Sequence, residues 1–320
     1  RDVIWDLDQL PVPAWDMLPQ DKYWDISRPH GGDFPPGMRI QYAAMMTSRG
    51  CPFACSYCHI SKEVKGSRSG EIGDLRLKSL DRVTHEIEIL KNMGTEYLFL
   101  EDDSLLAKKR RAIDIFQALK GSGMKLIDVN GVNIVHLTKN AGNGKMVIDR
   151  EFLEAMADSG FEKLSLPFES GSQRILDKYA SHKWRTDRLD TVDLIHTMRD
   201  LRITAPGNYT IGYPDETFDE MMETIMLAKR HMDEGLTAAS FFVIVPFPGS
   251  TLYDLAIRDG HLSPDFNPDD MRWTKSLFKN TPVSADSIEL IRTLAWKLIN
   301  QTQFVQGKET TGFTSLVTAT

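Results

Sequence analysis

The stretch CPFACSYC at residues 51–58 directly follows Ile40 to Thr47, an apolar run that predicts a β-strand. It contains all three cysteines of the 320-residue chain. An odd number of cysteines crowded into one short segment does not suit a disulfide framework and indicates a ligand cluster in a reducing compartment. Thiolates are soft ligands that suit iron–sulfur clusters, and three of them leave one iron of a four-iron cluster open to another molecule.

Three other interpretations of the cysteines are weaker. Cys55 to His59 matches the C-x-x-C-H pattern of covalent haem attachment, but that chemistry belongs to exported, mostly helical domains and leaves Cys51 unused. A zinc site with His59 as fourth ligand has suitable ligand types, but the adjacent Cys58 and His59 would struggle to reach one tetrahedral ion. Three unrelated core cysteines fit poorly, because the loop is flanked by serine, glycine and arginine rather than by an apolar stripe.

Outward from this loop, short apolar runs alternate with amphipathic stretches, a pattern typical of βα units that build a parallel sheet. The predicted strands lie near 40–47, 97–100, 126–134, 163–168, 204–212 and 239–246. The predicted helices lie near 80–93, 107–120, 149–159, 187–200, 217–233 and 250–259. This order predicts an α/β fold, a partial (β/α)6 TIM-like barrel, whose functional loops follow the carboxyl ends of the strands.

The two ends of the chain differ from this core in composition. Residues 1–38 are rich in proline, tryptophan and aspartate, which predicts a linker or N-terminal extension. The β/α core then covers residues 39–260. Residues 261–320 are expected to be a small C-terminal extension, irregular from Ser263 to Thr281, helical from Ala285 to about Phe304, and disordered from Gly307 onward.

The bulk composition argues against several classes of protein. With 41% hydrophobic residues, the chain can bury one large core. Its formal net charge of -7 argues against a nucleic-acid partner, because non-specific nucleic-acid affinity comes from lysine and arginine neutralising phosphates. We find no run of about 18 apolar residues and no charged-then-apolar leader, so we expect neither a membrane span nor export, and a cytoplasmic location.

Polar motifs follow the other predicted strands. Glu-Asp-Asp at 101–103 follows the second strand, and ESGSQ at 169–173 follows the fourth. GYPDET at 212–217 follows the fifth, and PFPGS at 246–250 follows the sixth. Each motif alone could be a turn or a helix cap. Together, in order and each at a strand end, they indicate one ligand site.

With C-x3-C-x2-C, an aromatic residue before the last cysteine, and these strand-end motifs, the chain resembles the radical S-adenosylmethionine superfamily over roughly residues 39–260. The resemblance implies that Cys51, Cys55 and Cys58 hold a [4Fe-4S] cluster and that S-adenosyl-L-methionine occupies its fourth iron. Asp102 and Asp103 are the main candidates to accept hydrogen bonds from the methionyl ammonium. The cofactor-binding residues that it implies are Tyr57, Glu101, Asp102, Asp103, Glu169, Ser170, Gly212 and Pro214.

The activity that the resemblance implies is a one-electron reaction. The reduced cluster cleaves S-adenosylmethionine and releases a 5'-deoxyadenosyl radical, which abstracts hydrogen from a small-molecule substrate. The electron comes from an external reductant such as flavodoxin or ferredoxin. We assign no catalytic acid or base, because His30, His59, His136 and Tyr209 lie at scattered positions.

Residues 5–15, WDLDQLPVPAW, resemble the linker of radical enzymes that carry a cobalamin-binding domain just upstream. A D-x-H-x-x-G cobalamin motif is lacking, since DGHLSP at 259–264 has proline where glycine is needed. Because the first residue is Arg1, we expect a cobalamin-binding domain before it. This branch favours cobalamin-dependent methylation of a small-molecule or natural-product substrate. A tetrapyrrole-type oxidative cyclase, a methylthiotransferase and a non-catalytic iron–sulfur electron-transfer protein remain as alternatives.

Overall fold

A computed structural model describes residues 3–26, 29–32, 34–35, 37–60, 73–142, 144–180 and 183–305, except for the side chains of 302–305. The disorder expected from Gly307 onward lies outside these residues. The strands are β1 (Tyr42–Met45), β2 (Ser48–Arg49), β3 (Arg76–Leu77), β4 (Tyr97–Leu100), β5 (Lys125–Asp128), β6 (Thr138–Gly142), β7 (Lys145–Ile148), β8 (Phe161–Lys163), β9 (Leu166–Glu169), β10 (Pro206–Ile211) and β11 (Ala238–Val243). The α-helices are α1 (Gln20–Ile26), α2 (Leu80–Asn92), α3 (Lys109–Leu119), α4 (Arg150–Asp158), α5 (Gln173–Tyr179), α6 (Thr191–Asp200), α7 (Phe218–Asp233), α8 (Thr251–Arg258) and α9 (Ala285–Val305).

The parallel strands form two sheets that continue into one another. One has the order β1-β4-β5-β8, and the other has the order β11-β10-β9. The chain passes from β8 through two residues into β9, and Lys163 bridges Thr204 in parallel just before β10. The predicted α/β fold with a partial barrel is therefore confirmed, with β1 and β11 at its two open edges.

Several of the local signals in the sequence act as expected. The Ser79 side chain caps α2 by accepting from the Arg82 N–H, and Gly94 follows that helix with a φ of +85°. Thr217 and Glu220 form a reciprocal capping box at the start of α7. Because these bonds satisfy amides that have no partner inside the helix, they fix where α2 and α7 begin.

Other boundaries differ from the predicted ones. The strand predicted over 126–134 ends at Asp128, because the Asp128 carboxylate accepts from the Gly131 N–H at 2.9 Å and turns the chain. The strand predicted over 163–168 is divided between β8 and β9. The sequence pattern also missed the short helix α5 and the β6–β7 hairpin, both of which lie between longer periodic segments.

The central strands are buried on both faces, as parallel strands between layers usually are. Leu98 and Leu100 of β4 pack in the main core with residues of α2 and α3. Tyr97 and Phe99 point to the opposite face, inside the barrel. There the ring of Phe34 lies edge-on, 4.9 Å from the Tyr97 ring, so the N-terminal segment fills this part of the barrel interior.

Residues 3–26 cover the open edge of β1. The indole N–H of Trp15 donates to the carbonyl of Ala44 at 3.3 Å, and that of Trp24 donates to the carbonyl of Tyr42 at 2.9 Å. Both tryptophans are buried. Exposed edge carbonyls invite pairing with another strand, and these two indoles occupy them.

None of the described helices combines the length and apolar character needed to cross a membrane.

Candidate functional site

The carboxyl ends of the strands surround a cavity of about 500 Å³. The sequence-predicted residues that line it are Cys51, Cys55, Tyr57, Cys58, Asp103 and Glu169. The predicted residues that lie outside its lining are Glu101, Asp102, Ser170, Gly212 and Pro214. The structure therefore brings the cysteines together with two of the predicted carboxylates and places the other candidates around them.

The cysteine loop is fixed from behind by backbone hydrogen bonds. The Ser56 N–H donates to the carbonyl of Tyr179 at the end of α5, and the Leu252 N–H in α8 donates to the carbonyl of Ser56. Gly50 precedes the loop with a φ of +83°, and a Cβ there would lie 2.3 Å from the Asp74 carbonyl oxygen. Glycine is thus required at the entrance to the loop, and the thiols are held by two helices that follow later strands.

The three thiols are close enough to influence one another's ionisation. Burial raises the pKa of all three thiols. The nearby ammonium of Lys183 acts in the opposite direction but offsets only part of this rise. Iron must bind thiolates, so a cluster that binds here replaces protons with positive charge. In the described part of the chain, no three His, Cys, Asp or Glu side chains converge on one metal ion. A four-iron cluster does not need such convergence, because each thiolate ligates a different iron.

A buried ion pair lies beside the cysteines. The Lys183 Nζ is 2.5 Å from one oxygen of Glu169, and the Thr210 hydroxyl donates to the other oxygen at 3.0 Å. Burial alone would raise the pKa of Glu169, but the ammonium and these hydrogen bonds outweigh it and lower that pKa. Burial likewise opposes the charge on Lys183, yet Glu169 and the neighbouring thiols raise its pKa. Both groups are therefore charged.

Glu169 also has a strained backbone, with a φ of +62°. Such a conformation is uncommon for a residue other than glycine and is typically kept where function requires it. Here it turns the end of β9 so that the carboxylate faces the cavity.

Sequence reasoning missed Lys183. The apolar residues Ile175, Leu176 and Tyr179 have the spacing of one helix face, and this spacing would have predicted α5. Lys183 lies just after α5, where the chain returns to the cavity.

The three carboxylates that follow β4, at residues 101–103, lie in three different environments. The Asp102 carboxylate is buried and accepts from the N–H and the hydroxyl of Thr47 and from the hydroxyl of Ser48. The Asp103 carboxylate faces the cavity and accepts from the Gly50 N–H at 2.8 Å. The Oε2 atom of Glu101 lies 3.5 Å from Nδ1 of His30. The oxygens of Asp102 thus hold the chain leading to the cysteines, and Asp103 is the carboxylate that a ligand in the cavity would meet.

The remaining predicted residues support the walls of the site. The Ser170 hydroxyl is buried against that of Thr224 at 3.0 Å. Gly212 has a φ of +88°, and a Cβ there would lie 2.9 Å from a methyl group of Ile288 in α9. The Glu216 carboxylate accepts from the N–H groups of residues 212 and 213 at 2.6 and 3.1 Å. This turn, which includes Pro214, therefore packs against the C-terminal helix.

Glu216 should make stability depend on pH. Burial raises the pKa of its carboxyl from 4.5 to about 8, so the folded state holds this proton more tightly than the unfolded chain. Its contribution is fully present below about pH 4.5 and is lost as the pH rises through about 8. We expect Glu216→Gln to lose less thermal stability than the parent between pH 6 and pH 9, measured by circular dichroism.

Asp149 at the start of α4 provides the control, because it is not among the charges that act on Glu216. Burial opposes the ionisation of Asp149, but the hydrogen bond from the Lys109 ammonium helps to lower its pKa, so Asp149 stays ionised from pH 6 to pH 9. Asp149→Asn should shift the melting temperature equally at both pH values. An equal loss between pH 6 and pH 9 in the parent and in Glu216→Gln would contradict the role of Glu216.

Comparison with known proteins agrees with this geometry. The model of the Radical SAM superfamily matches residues 45–228, so the chain belongs to the radical SAM superfamily. An uncharacterized methyltransferase of Pyrococcus horikoshii is 31% identical over 263 residues, which are 82% of this chain and 50% of that protein. Cytidylyl-2-hydroxyethylphosphonate methyltransferase of Streptomyces wedmorensis is 28% identical over 267 residues, which are 81% of this chain and 45% of that protein. The chain spans about half the length of these relatives.

Solved structures share the fold. The cobalamin-dependent S-adenosylmethionine radical enzyme OxsB, with aqua-cobalamin bound, has a TM-score of 0.60 at 13% identity, covering 82% of this chain and 41% of OxsB. The radical S-adenosylmethionine methyltransferase TsrM of Kitasatospora setae has a TM-score of 0.52 at 15% identity, covering 75% and 42%. At such low identities these likenesses describe the fold alone.

Proposed function

We propose that this chain is the radical SAM portion of a cobalamin-dependent methyltransferase that acts on a small-molecule substrate. The observation that carries the proposal is the convergence of three thiols, the Glu169–Lys183 pair and Asp103 on one cavity. The names of the two relatives favour methyl transfer over the cyclase and methylthiotransferase alternatives. The polar groups of the cavity favour a cofactor-cleaving enzyme over an electron carrier, which needs no second ligand.

The donor set fits both groups that the superfamily implies. Cys51, Cys55 and Cys58 would hold a [4Fe-4S] cluster. The cluster, when bound, supplies the electron that breaks a carbon–sulfur bond of S-adenosylmethionine. S-adenosylmethionine carries an ammonium, a carboxylate and a ribose, and the cavity offers groups of matching polarity in Asp103, Lys183 and Glu169.

Each of these side chains then has a definite task. Asp103 accepts from the ammonium, because a charge-assisted bond to a carboxylate is short and directional. Lys183 neutralises negative charge beside the thiolates and is held in place by Glu169. Glu169 keeps lone pairs for a ribose hydroxyl.

The cobalamin part of the proposal has separate support. Residues 5–15 resemble the linker that joins a cobalamin-binding domain to the radical SAM domain in related enzymes. The chain also covers only about half of each relative named above. We assign cobalamin binding to a domain beyond these 320 residues, with an external protein such as flavodoxin or ferredoxin as the electron donor.

The proposal predicts that anaerobically reconstituted protein converts S-adenosylmethionine to 5'-deoxyadenosine when dithionite is added. S-adenosylmethionine should also change the paramagnetic spectrum of the reduced cluster. Asp103→Asn should weaken S-adenosylmethionine binding by about 1.5–3 kcal/mol, the range for hydrogen bonds to charged groups. Product is measured by chromatography and affinity by titration of the spectrum.

Asp102→Asn provides the comparison, because Asp102 lies next to Asp103 but outside the cavity lining. It should lower stability without a matching loss of affinity in the protein that remains folded. A bound cluster that neither responds to S-adenosylmethionine nor cleaves it would favour the electron-transfer alternative and refute the proposal.

A further inference from the structure

The cavity has an aromatic side in addition to the charged groups of Asp103, Lys183 and Glu169. It is formed by Phe242 in β11, by Phe247 in the loop that follows, and by Trp273 between α8 and α9. We propose that this side binds a flat aromatic ring of the substrate. The inference rests on the proposed function, because it assumes that S-adenosylmethionine occupies the polar side.

The three rings form a connected wall. The indole of Trp273 lies edge-on to the Phe242 ring, with centroids 5.7 Å apart, and edge-on to the Phe247 ring at 5.5 Å. The Phe247 ring is also 5.8 Å from the imidazole of His59. His59 directly follows the last cysteine, so the wall reaches the cysteine loop. A ring bound here would lie beside the reacting groups.

Trp273 is held firmly but is not covered. The Val243 N–H at the end of β11 donates to the Trp273 carbonyl at 2.7 Å, which ties this segment to the open edge of the barrel. Even so, 53% of the Trp273 surface remains exposed. Burying an aromatic side chain is favourable, and a fixed indole at a cavity mouth is available to be covered by a ligand.

The chemistry of the wall favours an aromatic ring over an aliphatic one. Aromatic pairs gain stabilisation from edge-to-face and offset-stacked arrangements beyond the area that they bury. The two phenylalanines hold the indole at one angle, so an entering ring meets a preformed surface.

The test measures ring selectivity in the anaerobically reconstituted protein saturated with S-adenosylmethionine. The probes are 2-naphthol and its saturated counterpart decahydro-2-naphthol, titrated by ligand-observed NMR. We expect the parent to bind 2-naphthol at least about fivefold more tightly, a difference within the range known for aromatic pairs. In Trp273→Leu, which keeps apolar bulk but removes the ring, the ratio should fall below about twofold. The affinity for S-adenosylmethionine should stay unchanged.

Trp5→Ala is the matched control, because Trp5 is also 53% exposed and does not line the cavity. It should keep the selectivity of the parent. Equal affinities for the two probes in the parent, or full selectivity in Trp273→Leu, would overturn the inference. So would weaker S-adenosylmethionine binding in Trp273→Leu, since the wall would then hold the adenine.

Formation of 5'-deoxyadenosine in the same preparations separates this inference from the proposed function. Selectivity for 2-naphthol without cofactor cleavage would refute the proposed function and leave the aromatic subsite standing. Cleavage without selectivity would refute the subsite alone. A melting temperature for Trp273→Leu close to that of the parent shows that the variant is folded.

Discussion

Replacing Cys55 by alanine should abolish the iron–sulfur cluster, reducing iron in the anaerobically reconstituted protein from about four atoms per chain to almost none. Cys51→Ala and Cys58→Ala should do the same, because two thiolates do not retain a four-iron cluster. Iron analysis and the visible absorption of the cluster measure the result. Cofactor cleavage should disappear with the cluster.

Ser56→Ala is a close control for this loss. Ser56 lies next to Cys55, and its hydroxyl donates to the carbonyl of Tyr179. Alanine removes that bond but keeps the two backbone hydrogen bonds that fix the loop. The variant should therefore bind iron normally. Near-normal iron in any of the three cysteine variants would show that the ligand set is wrong.

Lys183→Met should lower the free energy of unfolding by about 3–5 kcal/mol, because it leaves the buried Glu169 carboxylate without its partner. The double variant Lys183→Met with Glu169→Gln should recover much of this loss, since neither charge is then stranded. Urea denaturation of the protein prepared without iron measures both, and the double-mutant cycle gives the coupling between the two residues.

An exposed ion pair sets the scale for comparison. Lys120 and Asp158 are 2.7 Å apart, but both side chains are largely exposed. Lys120→Met should cost at most about 1 kcal/mol, as is usual for surface pairs. A cost for Lys183→Met no larger than that of Lys120→Met would mean that the Glu169–Lys183 pair is not the buried charge pair that the structure describes.

Local patterns in the sequence predicted the parts of the fold that depend on neighbouring residues. The strand at 97–100, the cap at Ser79 and the capping box at Thr217 follow from apolar period and hydrogen-bonding chemistry within a few positions. The cysteine loop was equally accessible, because its ligands lie close together. These features need no knowledge of distant contacts.

The rest of the site depends on residues that meet only after folding. Lys183 reaches the cavity because α5 reverses the chain, and Trp273 reaches it because its carbonyl binds Val243 at a sheet edge. The different environments of Asp102 and Asp103 likewise depend on which way each side chain points after β4 ends. Residue type alone gives two adjacent aspartates the same expected role.

The hydrogen bonds from the Trp15 and Trp24 indoles to β1 limit where this chain can be shortened in protein engineering. A cut at residue 38 matches the change in composition, but it removes both Trp15 and Trp24 from the edge strand. The shortened product would present two bare carbonyls to its neighbours and invite strand exchange between molecules. Fusions, domain swaps and minimal versions should therefore keep residues 3–26 attached to the barrel that follows them, whatever domain is placed before them.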